Sequence, residues 1–178
     1  MSIEAHKSPA ATSSSVVRND LLASVTYPDS ISGSDVVSYA YNRLGQQRTI
    51  TDQRGTIRTS YYDLLGRLTN DCVTTVGSNT DNAVLQIIRA YEIRGMVSTI
   101  TSTDSATQGS GTVLNQVQLT FNTFGQLTND QQSHSGNVTT GTPNVQYAYD
   151  TGGSSSNEIR LNQLTCVRSA NPIFTGRI

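Results

Sequence analysis

The sequence predicts an all-β protein, an array of antiparallel β-hairpins, and three observations carry that expectation. One corner motif returns five times: an aromatic residue, then Asn, Asp or Glu, then two free positions, then Gly. The copies are Tyr41-Asn42…Gly45, Tyr62-Asp63…Gly66, Tyr91-Glu92…Gly95, Phe121-Asn122…Gly125 and Tyr149-Asp150…Gly153. Their glycines are spaced by 21 to 30 residues, a period that marks repeat architectures. Second, apolar and polar residues alternate with period two before several corners, as a half-buried strand requires. Third, Ser, Thr, Asn, Gln and Gly are abundant while only 14% of residues are charged. These residue types are weak helix formers and suit a β surface.

Taken in order, residues 1–22 are Ser- and Ala-rich, carry Pro9 and show neither period, so they are expected to form a disordered lead-in. Residues 23–27 form a short strand candidate, stopped by Pro28, and residues 31–35 form a polar loop around Gly33. The repeat array is expected over 23–165. Val37, Tyr39 and Tyr41 share one strand parity before the first corner; Val117, Leu119 and Phe121 do so before the fourth, and Val145, Tyr147 and Tyr149 before the fifth. The strands leading to the second and third corners are noisier, with Arg58 and Arg89 at apolar positions.

Each corner has a mechanism. Asn42, Asp63, Asn122 and Asp150 occupy the first position of a turn, where a short polar side chain accepts a backbone N–H two residues on. Gly three residues later supplies the positive φ of a type I turn closed by a G1-type bulge. Glu92 is one methylene too long, so its turn is expected to be weaker or of another type. Leu44, Leu65 and Phe124, just before the Gly, are expected to tuck over their turns.

Return strands follow each Gly, over 46–52, 67–76, 96–104 and 126–134, with a ragged fifth after Asn157. Asp52-Gln-Arg-Gly55 is a further tight turn of the same form. The later connections, over 77–82, 105–112 and 135–143, are long, polar and exposed in expectation. Residues 81–90 could pass for a helical turn or two, but Ile87, Ile88 and Tyr91 favour a strand. Residues 166–178 break the pattern and are expected to form a non-repeat tail.

The recurring Tyr-Asp-x-x-Gly followed by Arg-Leu resembles the RHS/YD-repeat family. Tyr62-Asp-Leu-Leu-Gly-Arg-Leu68 is close to the family's central pattern, and Thr51-Asp-Gln-Arg-Gly55 resembles its inter-repeat turn. Tyr91-Glu-Ile-Arg-Gly-Met96 and Gly125-Gln-Leu-Thr128 look like divergent variants seen in large RHS proteins of environmental bacteria such as planctomycetes. The resemblance covers about residues 25–165. It implies an open, curling YD-repeat sheet that is part of a larger shell, with the chain a fragment of a larger protein. The implied partners are the remaining repeats of a longer RHS chain, or a C-terminal domain encapsulated by the shell. It also implies a cell-surface or secreted location, although residues 1–7 show no apolar segment behind a basic start. The self-cleaving core of some family members has no counterpart here, so no protease residue carries over.

Two function classes follow. The leading expectation is a non-catalytic structural segment of such a shell, serving encapsulation or as a cell-surface scaffold. The alternative is a carbohydrate-binding or adhesion module that presents Thr, Asn, Gln and Tyr to glycans. No enzyme is expected: catalytic, cofactor-binding and metal sites are each read as none. His6 and His134 are read as surface residues, because a Ser–His pair needs an orienting acid and an oxyanion site. Asp71 and Asp130, each after Thr-Asn, are read as turn or edge residues, because a Ca²⁺ site needs more oxygens. Cys72 and Cys166 lie in no C-x-x-C motif and are read as unpaired, with a disulfide between them as the alternative. A net charge of −1 gives no reason to expect nucleic acid, and no run approaches the roughly 18 apolar residues of a membrane span.

Overall fold

The computed structural model describes residues 2–5, 20–28, 35–150, 160–168 and 171–177. They form thirteen strands and no helix. The chain divides into two compact units, Met1–Gln86 with Ser105–Gly109, and Ile87–Asp104 with Ser110–Ile178.

The first unit holds β1 (Ser2–Ala5), β2 (Leu22–Thr26), β3 (Val36–Tyr41), β4 (Gln47–Thr51), β5 (Ile57–Tyr62) and β6 (Leu68–Thr75). Each pairs antiparallel with the next in chain order. β7 (Gln86–Tyr91) starts on the last residue of that unit, and strand, not helix, is what this segment forms. The second unit holds β8 (Val97–Thr103), β9 (Val113–Phe121), β10 (Leu127–Ser133), β11 (Asn144–Tyr149), β12 (Leu161–Arg168) and β13 (Asn171–Arg177). From β8 onward these too pair antiparallel in chain order. The all-β hairpin array read from the sequence is therefore the fold. Four return strands are one residue shorter at each end than expected. The residue after Gly is spent on closing the turn: the Gln46, Arg67, Met96 and Gln126 carbonyls accept the N–H of Asn42, Asp63, Glu92 and Asn122 at 2.9–3.0 Å.

A second irregularity repeats. One residue beyond the corner, three hairpins carry a bulge: Tyr41 faces Gln47 while Ala40 faces Thr49, Tyr62 faces Leu68 while Tyr61 faces Asn70, and Phe121 faces Leu127 while Thr120 faces Asn129. Arg48, Thr69 and Thr128 are the extra residues, and such insertions increase the local twist. The pair β1–β2 has the same register, with Ala5 opposite Leu22 and Glu4 opposite Ser24. Within the expected lead-in of 1–22, Ser2–Ala5 is thus a strand in repeat register, while residues 6–19 lie outside the described residues. Ala5 stands where the other corners carry an aromatic residue, so this hairpin lacks the sequence motif. At the other end, β12 crosses the expected 165/166 boundary without a break and pairs with β13.

Apolar burial is sparse. Among the described residues Ala23, Val25, Val37 and Cys72 are the buried hydrophobic ones, beside buried Thr56, Thr59, Gln86, Thr101, Thr103 and Thr142. Buried hydroxyls and amides need partners. The Thr59 and Thr74 hydroxyls bond each other at 2.9 Å, Gln116 Nε2 donates to Thr101 Oγ1 at 2.9 Å, and Gln86 Nε2 donates to Cys72 Sγ at 3.2 Å. Gly77 marks a close backbone approach, since a Cβ there would lie 2.5 Å from the Arg54 carbonyl oxygen.

Candidate functional site

The expected repeat corners are the most regular feature of the molecule. At the first, Gly45 N–H donates to the Asn42 carbonyl at 3.0 Å and Gly45 has φ 78°. Asn42 Oδ1 accepts the N–H groups of Leu44 and Gln46, both at 3.0 Å. Asp63 with Gly66, and Asn122 with Gly125, repeat every one of these bonds at 2.9–3.0 Å. So does Asp52 with Gly55 at 2.8–3.0 Å. A type I turn with a G1 bulge is what these bonds and angles describe.

The side chain at the head of the turn is matched to the residue after Gly. Asn42 Nδ2 donates to Gln46 Oε1 at 2.7 Å, and Asn122 Nδ2 to Gln126 Oε1 at 2.6 Å. Asp63 Oδ2 instead takes Arg67 Nε at 2.7 Å. Amide is thus paired with amide and carboxylate with guanidinium. The hydrogen bond from the Arg67 N–H, with those from its side chain and the Leu65 N–H, outweighs desolvation and holds Asp63 below the ordinary carboxylate range. For Asp52 desolvation is the largest single influence and acts upward, but the hydrogen bonds from Thr56 and Arg54 overcome it and the net shift is down.

Two corners depart from this scheme. Glu92 was expected to weaken its turn or change its type. The turn is the same, with Gly95 N–H on the Glu92 carbonyl at 2.9 Å and Gly95 at φ 92°. The Met96 side chain offers no polar partner, so the longer carboxylate curls onto Arg94, whose Nη2 lies 2.7 Å away. The Arg94 side chain is the main cause of Glu92's lowered pKa. The fifth corner does not close tightly. Asp150 N–H reaches the Arg160 carbonyl at 3.1 Å, and Asp150 Oδ2 takes Arg160 Nε at 3.0 Å. Arg160 therefore fills the place that Arg67 fills after Gly66. Gly153 lies outside the described residues.

The aromatic residues bind hairpin to hairpin. Tyr41 Oη donates to the Leu22 carbonyl at 2.7 Å, Tyr62 Oη to the Gln47 carbonyl at 2.7 Å, and Tyr149 Oη to the Leu127 carbonyl at 3.0 Å. In each case the acceptor opens the preceding strand. Neighbouring corners also touch within each unit: Gln46 Nε2 donates to the Gly66 carbonyl at 2.9 Å, and Arg94 Nη1 to the Asn122 carbonyl at 2.6 Å. Tyr91 ends β7 at its corner. Leu44, Leu65 and Phe124 do not tuck over their turns as expected. They stand 75%, 77% and 71% exposed, because the turn is already closed by backbone and polar side chains and leaves no apolar surface to cover.

The remaining candidates lie apart from the corners. Asp71 is in ion-pair contact with Arg58. Asp130 accepts Gln132 Nε2 at 3.4 Å and, after desolvation, is the next cause of the raised pKa of Tyr147. His134 lies just past β10, exposed, and lines a groove of about 420 Å³ with Asp130 and Cys166. Both cysteines are free, and burial pushes the Cys72 thiol upward. Among the described residues no three His, Cys, Asp or Glu side chains cluster closely enough to hold a metal ion. None of their helices could cross a membrane, because none is present.

No family model matches the sequence, and no curated protein matches it. Among solved structures the chain is similar to part of "Crystal Structure of TcdB2-TccC3-Cdc42", with 15% identity and a TM-score of 0.34. That match covers 74% of this chain and 7% of the other.

Proposed function

We propose that the chain is a non-catalytic structural segment of an RHS/YD-repeat shell, serving encapsulation or as a cell-surface scaffold. The observation that carries this reading is the corner clasp. A hairpin's aromatic hydroxyl is satisfied by the strand of the hairpin before it, as Tyr41, Tyr62 and Tyr149 are. A unit completed only by its neighbour is suited to building a wall by repetition. These three hydrogen bonds join repeat to repeat. The test is to express the chain together with its flanking coding sequence and examine the product by electron microscopy and limited proteolysis. A hollow particle that shields an internal segment is the expected result. Flanking sequence without further Tyr-Asp-x-x-Gly repeats would overturn the reading.

A carbohydrate-binding or adhesion role is the second reading, and one observation favours it. Register places Thr99, Gln118, Thr120, Asn129, Gln131 and Gln146 on one face of β8–β11, a continuous patch of uncharged hydroxyls and amides. Such groups both donate and accept, as sugar hydroxyls require. A glycan array decides it, and the absence of binding to any glycan would remove this reading while leaving the first intact.

A further inference from the structure

The tips of the corners carry large apolar side chains that the chain itself leaves uncovered. In the first unit, Leu44 stands at the tip of the first corner and Leu64 and Leu65 at the tip of the second, and all three are exposed. A 2.9 Å hydrogen bond from Gln46 Nε2 to the Gly66 carbonyl holds these two corners side by side at one end of their strands. The turn itself does not require apolar tips. Asp52–Gly55, at the other end of β4 and β5, closes by the same bonds and has Gln53 and Arg54 at its tip. The second unit repeats the pattern by itself. Ile93 and Phe124 stand exposed at the tips of two corners joined by the 2.6 Å bond from Arg94 Nη1 to the Asn122 carbonyl.

We propose that the corner end of the first unit docks on a lipid surface, with Leu44, Leu64 and Leu65 immersed at the boundary between headgroups and acyl chains. Three features of the corners suit that occupant. First, their polar groups are closed on themselves. Asn42 Oδ1 takes the Leu44 and Gln46 N–H groups, and Asp63 Oδ1 those of Leu65 and Arg67, so moving the turns out of water leaves these donors paired. Second, the charge fits. Arg67 neutralises the Asp63 carboxylate, and Arg43, exposed beside Leu44, adds a cation. Its stem lies along apolar surface while its head reaches lipid phosphate. Third, the shape fits. Successive corners are two strand spacings, about 10 Å, apart, so the leucines form a ridge of separate side chains. A stable protein interface takes roughly 20–30 residues a side, far more than two turn tips supply. A fluid bilayer closes around each side chain separately, and its attraction scales with the apolar area immersed. The proposal holds whether or not the chain builds a shell.

The chain contains no Trp, so a single introduced Trp reports its own surroundings. Leu64→Trp places it at an apolar tip, and Gln53→Trp places it at the polar turn at the other end of the strands. With equimolar phosphatidylcholine–phosphatidylglycerol vesicles, the first should shift to the blue and be quenched by brominated acyl chains, and the second should do neither. Flotation of the unsubstituted chain with the same vesicles controls for binding created by the Trp. Changing Leu44, Leu64 and Leu65 together to Ser should lower the affinity in flotation by at least about tenfold. Arg43→Glu should weaken it severalfold with the leucines intact, and it decides the matter if the triple variant does not fold. Failure of the unsubstituted chain to float would overturn the proposal, as would equal quenching at the two Trp positions. Unchanged affinity in the folded triple variant or in Arg43→Glu would do the same. A blue shift of Leu64→Trp that grows with protein concentration, and is not quenched by brominated vesicles, would mean that a second copy covers the tips and would also overturn it.

Discussion

At the scale of the residue, the corner is a small closed circuit of hydrogen bonds, and its partners are chosen to match. Asn42 meets Gln46 and Asp63 meets Arg67, so each turn satisfies its own polar groups without help from a core. This has a pH consequence. Asp52 and Asp63 have folded-state pKa values lowered below the ordinary 3.8. A lowered carboxylate stabilises fully above its ordinary value and loses that contribution as pH falls through the folded value. The amide resonances of Arg54, Thr56, Leu65 and Arg67 should therefore shift on acidification below about pH 4. Those of Leu44, Gln46, Phe124 and Gln126, bonded to Asn, should not; NMR over that range makes the comparison. Gly66 gives a second prediction. With φ +79° and Gln46 Nε2 3.0 Å from an added Cβ, Gly66→Ala should destabilise by about 1–2 kcal/mol. Gly66→Asn should cost less, because Asn tolerates this conformation better. Denaturant melts rank the two, and an inverted order would contradict this account of the turn.

At the scale of the element, the hairpins of Tyr41, Tyr62 and Tyr149 are each held to the preceding one by a tyrosine hydroxyl. Phe121 is the natural exception. Thr99 faces Gln118 as Thr49 faces Thr59, which puts Phe121 where Tyr62 stands and the Val97 carbonyl where that of Gln47 stands. Phe121→Tyr should therefore gain a hydrogen bond to Val97 and stabilise the chain by about 0.5–1.5 kcal/mol, and Tyr62→Phe should lose a similar amount. Thermal or denaturant melts of the two variants check both signs. A destabilising Phe121→Tyr would mean that the clasp is not transferable between copies.

At the scale of the whole molecule, the described residues have little apolar interior. Among the described residues, β1 pairs with β2 alone and β13 with β12 alone, which leaves one side of each without a strand neighbour. Exposed strand edges invite further strands. Exposed Leu44, Leu64, Leu65, Ile93 and Phe124 at the corner tips add apolar surface. The isolated chain should therefore self-associate with rising concentration, seen as growing mass in analytical ultracentrifugation. A clean monomer with a sharp cooperative melt across the same range would contradict this.

The sequence by itself determined the hairpins and their corners, because a tight turn is local chemistry. The Asx side chain, the Gly at positive φ and the two-residue alternation all act within a few positions of one another. It could not show that β1–β2 is in repeat register, because Ala5 and the long connection after it carry no trace of the motif. Nor could it show that the hairpin closes at Arg160 well past the fifth motif, since local chemistry at Asp150 is compatible with either partner. The acceptors of the Tyr41, Tyr62 and Tyr149 hydroxyls and the contact of Arg94 with the Asn122 carbonyl were decided only when strands met. Each depends on which carbonyl, ring or guanidinium a neighbouring hairpin brings within about 3–4 Å, a distance that chain order alone does not fix.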